Sequence, residues 1–174
     1  MVHAVTLPFP LGLIDRILLL TYFSTLRIAI SAVWGDMNLV CPLIFYGEEV
    51  AKHLPSTNKV FSFRLMQVIS NVSGMPKYHP WFGVPHCDDL AYLFMPQLFK
   101  SHPALSDVSK YMIEAWTSFA KTGRPSDASW KEAANRETKD FYTNYLHLES
   151  GHYKMVDGYF KETCDKFWKP KIFG

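Results

Sequence analysis

At 174 residues, 48% of them hydrophobic and 20% charged, the sequence has the balance of a globular domain and enough chain for a sizeable core. Eighteen Lys and Arg against 16 Asp and Glu leave a formal charge of +2, too small to argue for nucleic acid or an anionic membrane as partner. No Zn-type Cys/His spacing, P-loop or GxGxxG occurs, so no metal or cofactor is implied.

In chain order, Ile17 to Phe23 is an apolar run preceded by Asp15 and Arg16. It is far shorter than the roughly 20 residues a membrane-spanning helix needs. Met1 to Pro10 offers neither the basic start nor the uninterrupted apolar stretch of a signal peptide. Residues 11–34 are therefore expected as a buried amphipathic helix, with no membrane span. Trp34-Gly35-Asp36 marks a break, after which Asp36 or Asn38 caps a helix beginning near Asn38. Leu39, Leu43, Gly47, Val50 and Leu54 fall on one face of it, and Pro55 stops it.

Lys59 to Gln67 alternates, with Phe61, Phe63 and Leu65 on one side, and reads as a strand. Asn71 to Pro80 is rich in Gly, Pro, Asn and Ser and reads as loop. The spacing of Leu105, Val108, Met112, Ala115 and Phe119 predicts a helix over 106–121, capped by Ser106 or Asp107 and ended by Gly123 and Pro125. A polar connector over 124–140 leads to a strand at Tyr142 to Leu148 and a last amphipathic helix at Met155 to Trp168. Lys161, Lys166, Lys169 and Lys171 form a solvated helix face. Two strands are too few for a self-sufficient sheet, so an α/β sheet with further strands elsewhere is expected.

Gly83-Val84-Pro85-His86-Cys87-Asp88-Asp89-Leu90-Ala91-Tyr92-Leu93-Phe94 resembles the segment around the catalytic histidine of the type-B carboxylesterases and cholinesterases. Gly35 to Pro42, Trp116 to Pro125, and Tyr145 to Leu148 through Cys164 to Trp168 resemble other stretches of that family in consistent order. The resemblance covers residues 33–168 and leaves 1–32 unplaced. It implies the C-terminal part of an α/β-hydrolase fold and hydrolysis of carboxylic esters through an acyl-enzyme. In that fold a serine on a GxSxG elbow is followed by an acid and then by the histidine. His86 takes the histidine's place, as general base and then general acid.

None of the nine glycines lies four residues before another, so no GxSxG elbow exists; Ser73-Gly74 has only half the pattern. Asp36 reads as a helix cap rather than as the family's acid. The family's oxyanion-hole glycines and choline-binding tryptophan have no counterpart here. The expectation is a C-terminal fragment, inactive alone, of a serine esterase acting on a small carboxylic ester. The alternative is a cholinesterase-like adhesion protein that has lost its nucleophile. Cys87, where the family often has a small residue, is expected to pack. His79, His102, His147 and His152 read as surface or satisfied core histidines.

Three cysteines leave one unpaired in any internal scheme. The resemblance implies a Cys41–Cys164 disulfide, which belongs to an oxidising compartment. Asn71-Val72-Ser73 is an N-glycosylation sequon in a polar loop. Together they point to the secretory route for the parent protein, although no signal peptide is read in this chain. The family also implies a possible homodimer through the helices at 106–121 and 155–168.

Overall fold

The computed structural model describes residues 13–55, 57–78, 82–133, 144–158 and 162–173, with side chains from Tyr22 onward. A long helical segment comes first: α1 (Leu13–Gly35), a π-helical stretch (Asp36–Val40) and α2 (Cys41–His53). The expected break at Gly35 is absent. Gly35 lies in the right-handed helical region (φ −62°, ψ −46°), and no side chain caps the following turn. Asn38 instead donates from Nδ2 to the carbonyl of Trp34, 2.9 Å away. The chain passes the glycine by widening to i→i+5 bonding, as a π-bulge does.

The expectation of a buried α1 also fails. Every side chain from Tyr22 to Trp34 is exposed, apolar ones on all sides included. The continuous Tyr22–His53 run, with a window of mean hydropathy 1.6, passes the length and composition test for a membrane-crossing helix that Ile17–Phe23 alone fails. The buried face of α2 is rotated from the expected stripe: Cys41, Ile44, Phe45 and Ala51 are inside with Gly47, the one expected member that is buried, whereas Leu39 and Leu43 are exposed. The cause is covalent. Cys41 is disulfide-bonded to Cys164, with Cα atoms 5.2 Å apart, and the two sulfurs lie in a small core with Ile44, Phe45 and Trp168.

The larger core is built on a sheet of order β1-β2-β3, from β1 (Phe63–Leu65), β2 (Asn144–Leu148) and β3 (Lys154–Asp157). β1 runs parallel to β2, with Phe63 opposite Leu146 and Leu65 opposite Leu148. Pairing continues past the ends of β1: Leu146 N–H donates to Ser62 O at 2.8 Å and Met66 N–H to Leu148 O at 2.9 Å. The alternation over Lys59–Gln67 is thus an extended segment of which three residues form regular strand. Phe61, Phe63 and Leu65 face the core together, as a period of two requires.

β3 corrects the expected helix at Met155. Glu149 to His152 turn the chain back, with Gly151 at φ +72° and His152 N–H bonded to Glu149 O. Lys154–Asp157 then pairs antiparallel with β2. Among the described residues after β3, helix is present over a π-helical stretch (Glu162–Trp168) followed by α5 (Lys169–Phe173). Tyr153 holds this hairpin down by stacking on Tyr111 at 4.2 Å and donating to Asp107 at 2.7 Å.

The crossover from β1 to β2 carries α3 (Asp88–Phe94), a 3-10 turn (Pro96–Phe99) and α4 (Pro103–Thr122). α4 starts at Pro103, whose missing N–H costs nothing in a first turn; Ser106 and Asp107 do not cap it. Leu105, Val108, Met112 and Ala115 are buried as their spacing requires, and Gly123, at φ +74°, ends the helix. Leu105, Val108 and Met112, taken fully from water, each contribute on the order of 1.5–3 kcal/mol.

Candidate active site

His86 stands on the turn that delivers the chain into α3. Gly83 has φ +64° and Cys87 φ +73°, both in the left-handed region. Two backbone bonds close the turn, Asp88 N–H to Pro85 O at 3.3 Å and Leu90 N–H to Cys87 O at 3.1 Å. Cys87 is exposed, which corrects its expected packing role; it is also the free cysteine. A left-handed backbone favours glycine, so Cys87 holds a conformation that a side chain disfavours.

The turn rests on a rigid base. Tyr92 of α3 is fully buried, stacks near Phe99, donates to Gln67 O at 3.0 Å, and has its own carbonyl bonded by Ser109 Oγ. Asp88, next to Cys87, is 3% exposed, and its Oδ2 has no hydrogen-bond partner among the described residues. Burial, with the neighbouring Asp89 charge added, holds the Asp88 carboxyl above the usual range. Burial and the Asp88 charge push the Tyr92 phenol up as well. Sequence reasoning treated Asp88 only as a motif residue. Two acids opening a seven-residue helix were the available signal, but nothing in the sequence showed which one turns inward.

His86 is exposed, and no hydrogen bond holds its ring among the described residues. The preceding Phe82, Gly83 and Val84 line a cavity of about 590 Å³, whose other walls include β1, the start of β2 and the helical segment at Ile28, Asp36, Leu43 and Ile44. Asp36 is no cap but part of this wall. Its carboxyl is raised by burial and partly lowered by Arg64. Asn71, at φ +55°, and Ser73 are exposed around the buried Val72, and Ser73-Gly74 sits in the same surface loop. His147 is satisfied by Glu149 at 3.1 Å and His102 by Ser101 at 3.2 Å; His152 is exposed, and His79 lies outside the described residues. Lys166 pairs with Glu162, Lys169 with Glu48, and Lys171 lies over Phe167, while Lys161 lies outside the described residues. The described residues contain no cluster of three or more His, Cys, Asp or Glu that could hold a metal. Among the described residues the His86 imidazole is exposed beside the cavity wall, where it can exchange a proton with a group brought from outside.

The model of the carboxylesterase family matches residues 21–168. The chain belongs to the carboxylesterase family. Acetylcholinesterase of Bungarus fasciatus is 31% identical over 111 residues, 62% of this chain and 17% of that protein. Bile salt-activated lipase of Mus musculus is 40% identical over 113 residues, covering 58% and 18%. Acetylcholinesterase-1 of Trittame loki is 24% identical over 151 residues, covering 83% and 25%. The chain thus spans a quarter or less of the length of these relatives. Membership of this ester hydrolase family makes the fold an α/β-hydrolase, of which three strands form an incomplete sheet. The match begins at residue 21, so it takes in much of α1, which the motifs left unplaced.

Proposed function

We propose that the chain supplies the histidine of a serine carboxylesterase whose nucleophile and acid come from sequence outside these 174 residues. His86 Nε2 takes the proton of the attacking serine Oγ and gives it to the departing alcohol. It then repeats the exchange with water to release the acid. The observation that carries this reading is the unoccupied imidazole, exposed two residues beyond the cavity wall at Val84 and fixed on a base that buries Tyr92. In that mechanism Nδ1 is held by the acid and Nε2 faces the serine, so both ring nitrogens must be open to groups from outside this chain.

The 174 residues alone should not hydrolyse 4-nitrophenyl butyrate beyond the rate of free imidazole, and His86→Ala should change nothing. A burst of nitrophenol followed by turnover that His86→Ala abolishes would show that the nucleophile lies within the chain, and would end this reading. Secretion of the parent is supported by the Cys41–Cys164 bond. Asn71 is its proposed glycan site: expression through a secretory pathway should give a mass that drops on glycosidase treatment, and Asn71→Gln should remove that drop.

A further inference from the structure

The C-terminal end of α4 meets the residues leading into β1 in an aromatic box. Phe61 lies edge-on to Phe119 at 5.9 Å, and Phe63 edge-on to Trp116 at 4.8 Å, with Trp130 5.5 Å from Trp116. They enclose an apolar cavity of about 130 Å³. An apolar cavity of roughly 150 Å³ holds a benzene ring. The mouth is exposed, with Phe119 at 44%.

Past Phe61, Pro125 and Trp130 the cavity continues into a wider cleft of about 470 Å³, whose lining carries three cations and two acids. Both acids take part in contacts of the cleft wall, Glu132 through Oε2. Glu132 holds Lys59 at 2.7 Å, and Asp127 accepts from Tyr111 at 2.7 Å and from Ser129 N–H and Oγ. Among the described residues Arg124 and Lys131 pair with no acid. Arg124 is nevertheless held in place. Ser118 Oγ donates to its carbonyl, its N–H donates to Thr122 Oγ1, whose own proton goes to Ser118 O at 2.9 Å, and its backbone stands between left-handed Gly123 and Pro125.

We infer that this cleft binds a small carboxylate bearing an aromatic or branched alkyl group, with the hydrocarbon in the aromatic box and the carboxylate on Arg124 and Lys131. A guanidinium fork matches a carboxylate, and the ring walls exclude a ligand that is polar throughout.

The test titrates residues 1–174 with 3-phenylpropionate and with its neutral amide, following the indole N–H resonances of Trp116 and Trp130. The acid should bind saturably and about tenfold more tightly than the amide. Arg124→Ala should remove most of that preference while leaving amide binding and the melting temperature unchanged, since the guanidinium supports no contact of the fold. Phe119→Ala, at an exposed position, should weaken both ligands. Equal binding of acid and amide, an acid affinity indifferent to Arg124→Ala, or no saturation by about 10 mM would overturn the assignment. Indole shifts that follow protein concentration and ignore both ligands would also overturn it, by showing that a second copy covers the box.

Discussion

α1 and α4 are of similar length and differ in what their apolar residues meet. In α4, Leu105, Val108, Met112 and Ala115 form one buried stripe, and the opposite face is polar. In α1, Tyr22, Leu26, Ile28, Ile30, Val33 and Trp34 are distributed around the helix and all are exposed. α4 has its cover on this chain, in β1, β2 and α3; α1 borders the cavity beside β1 at Ile28 but buries no side chain from Tyr22 to Trp34. A helix apolar all round is stable only where something encloses it. The two halves are therefore held differently. A packed core secures α3, α4 and the sheet, whereas a disulfide and a five-residue cluster secure α2 against the C-terminal segment.

The largest effect should come from that covalent clip. Closing a chain separation of 123 residues is worth about 4–5 kcal/mol in the entropy model. Replacing Cys41 and Cys164 together by Ser should lower stability by that order in urea unfolding. It should expose the α2 and α5 amides to hydrogen exchange before those of α4. Simultaneous loss of protection in both halves would erase the distinction between them.

Met112→Ala, in the fully buried stripe, should cost about 2–5 kcal/mol, while Ile30→Ser should stay within about 0.5 kcal/mol and improve solubility. Comparable losses at the two positions would mean that α1 is covered in solution. Gly123→Ala should cost about 1 kcal/mol, because φ +74° suits glycine and strains a side chain, although nothing within 4 Å would meet the new Cβ.

The smallest effect concerns charge beneath the histidine turn. Asp88 has its carboxyl raised in the fold, so the native state holds that proton more tightly than the unfolded chain. Its contribution to stability is full below the ordinary carboxylate pKa and is lost as pH rises through the raised one. Asp88→Asn should therefore flatten the fall in urea midpoint on going from acid to neutral pH. An unchanged pH slope would show that the Asp88 carboxylate is compensated.

α4 and its stop were legible because a clean three-four period and a left-handed glycine are local signals that packing then obeys. The alternation of Phe61, Phe63 and Leu65 gave the correct core face for the same reason. Gly35 misled, since glycine and a following acid usually punctuate a helix, and a π-helical stretch carries no comparable signature. The β2–β3 hairpin was hidden because Met155, Val156 and the later aromatics also fit a helical stripe; Ser150-Gly151 was the overlooked turn. The rotation of α2 follows from the Cys41–Cys164 bond, whose pairing came with the family resemblance rather than from spacing. At the site, the motif located His86, but the burial of Asp88 and the left-handed backbone of Cys87 are tertiary facts that no local pattern records.

The most direct test of the central claim puts residues 21–168, the stretch matched by the carboxylesterase family model, in place of the corresponding family segment of the Mus musculus bile salt-activated lipase and compares 4-nitrophenyl butyrate hydrolysis with and without His86→Gln. If His86 is the general base, the unsubstituted chimera turns over and His86→Gln lowers kcat by about 10⁴-fold or more with little change in KM. Turnover that survives His86→Gln would contradict the assignment of His86 as the catalytic histidine.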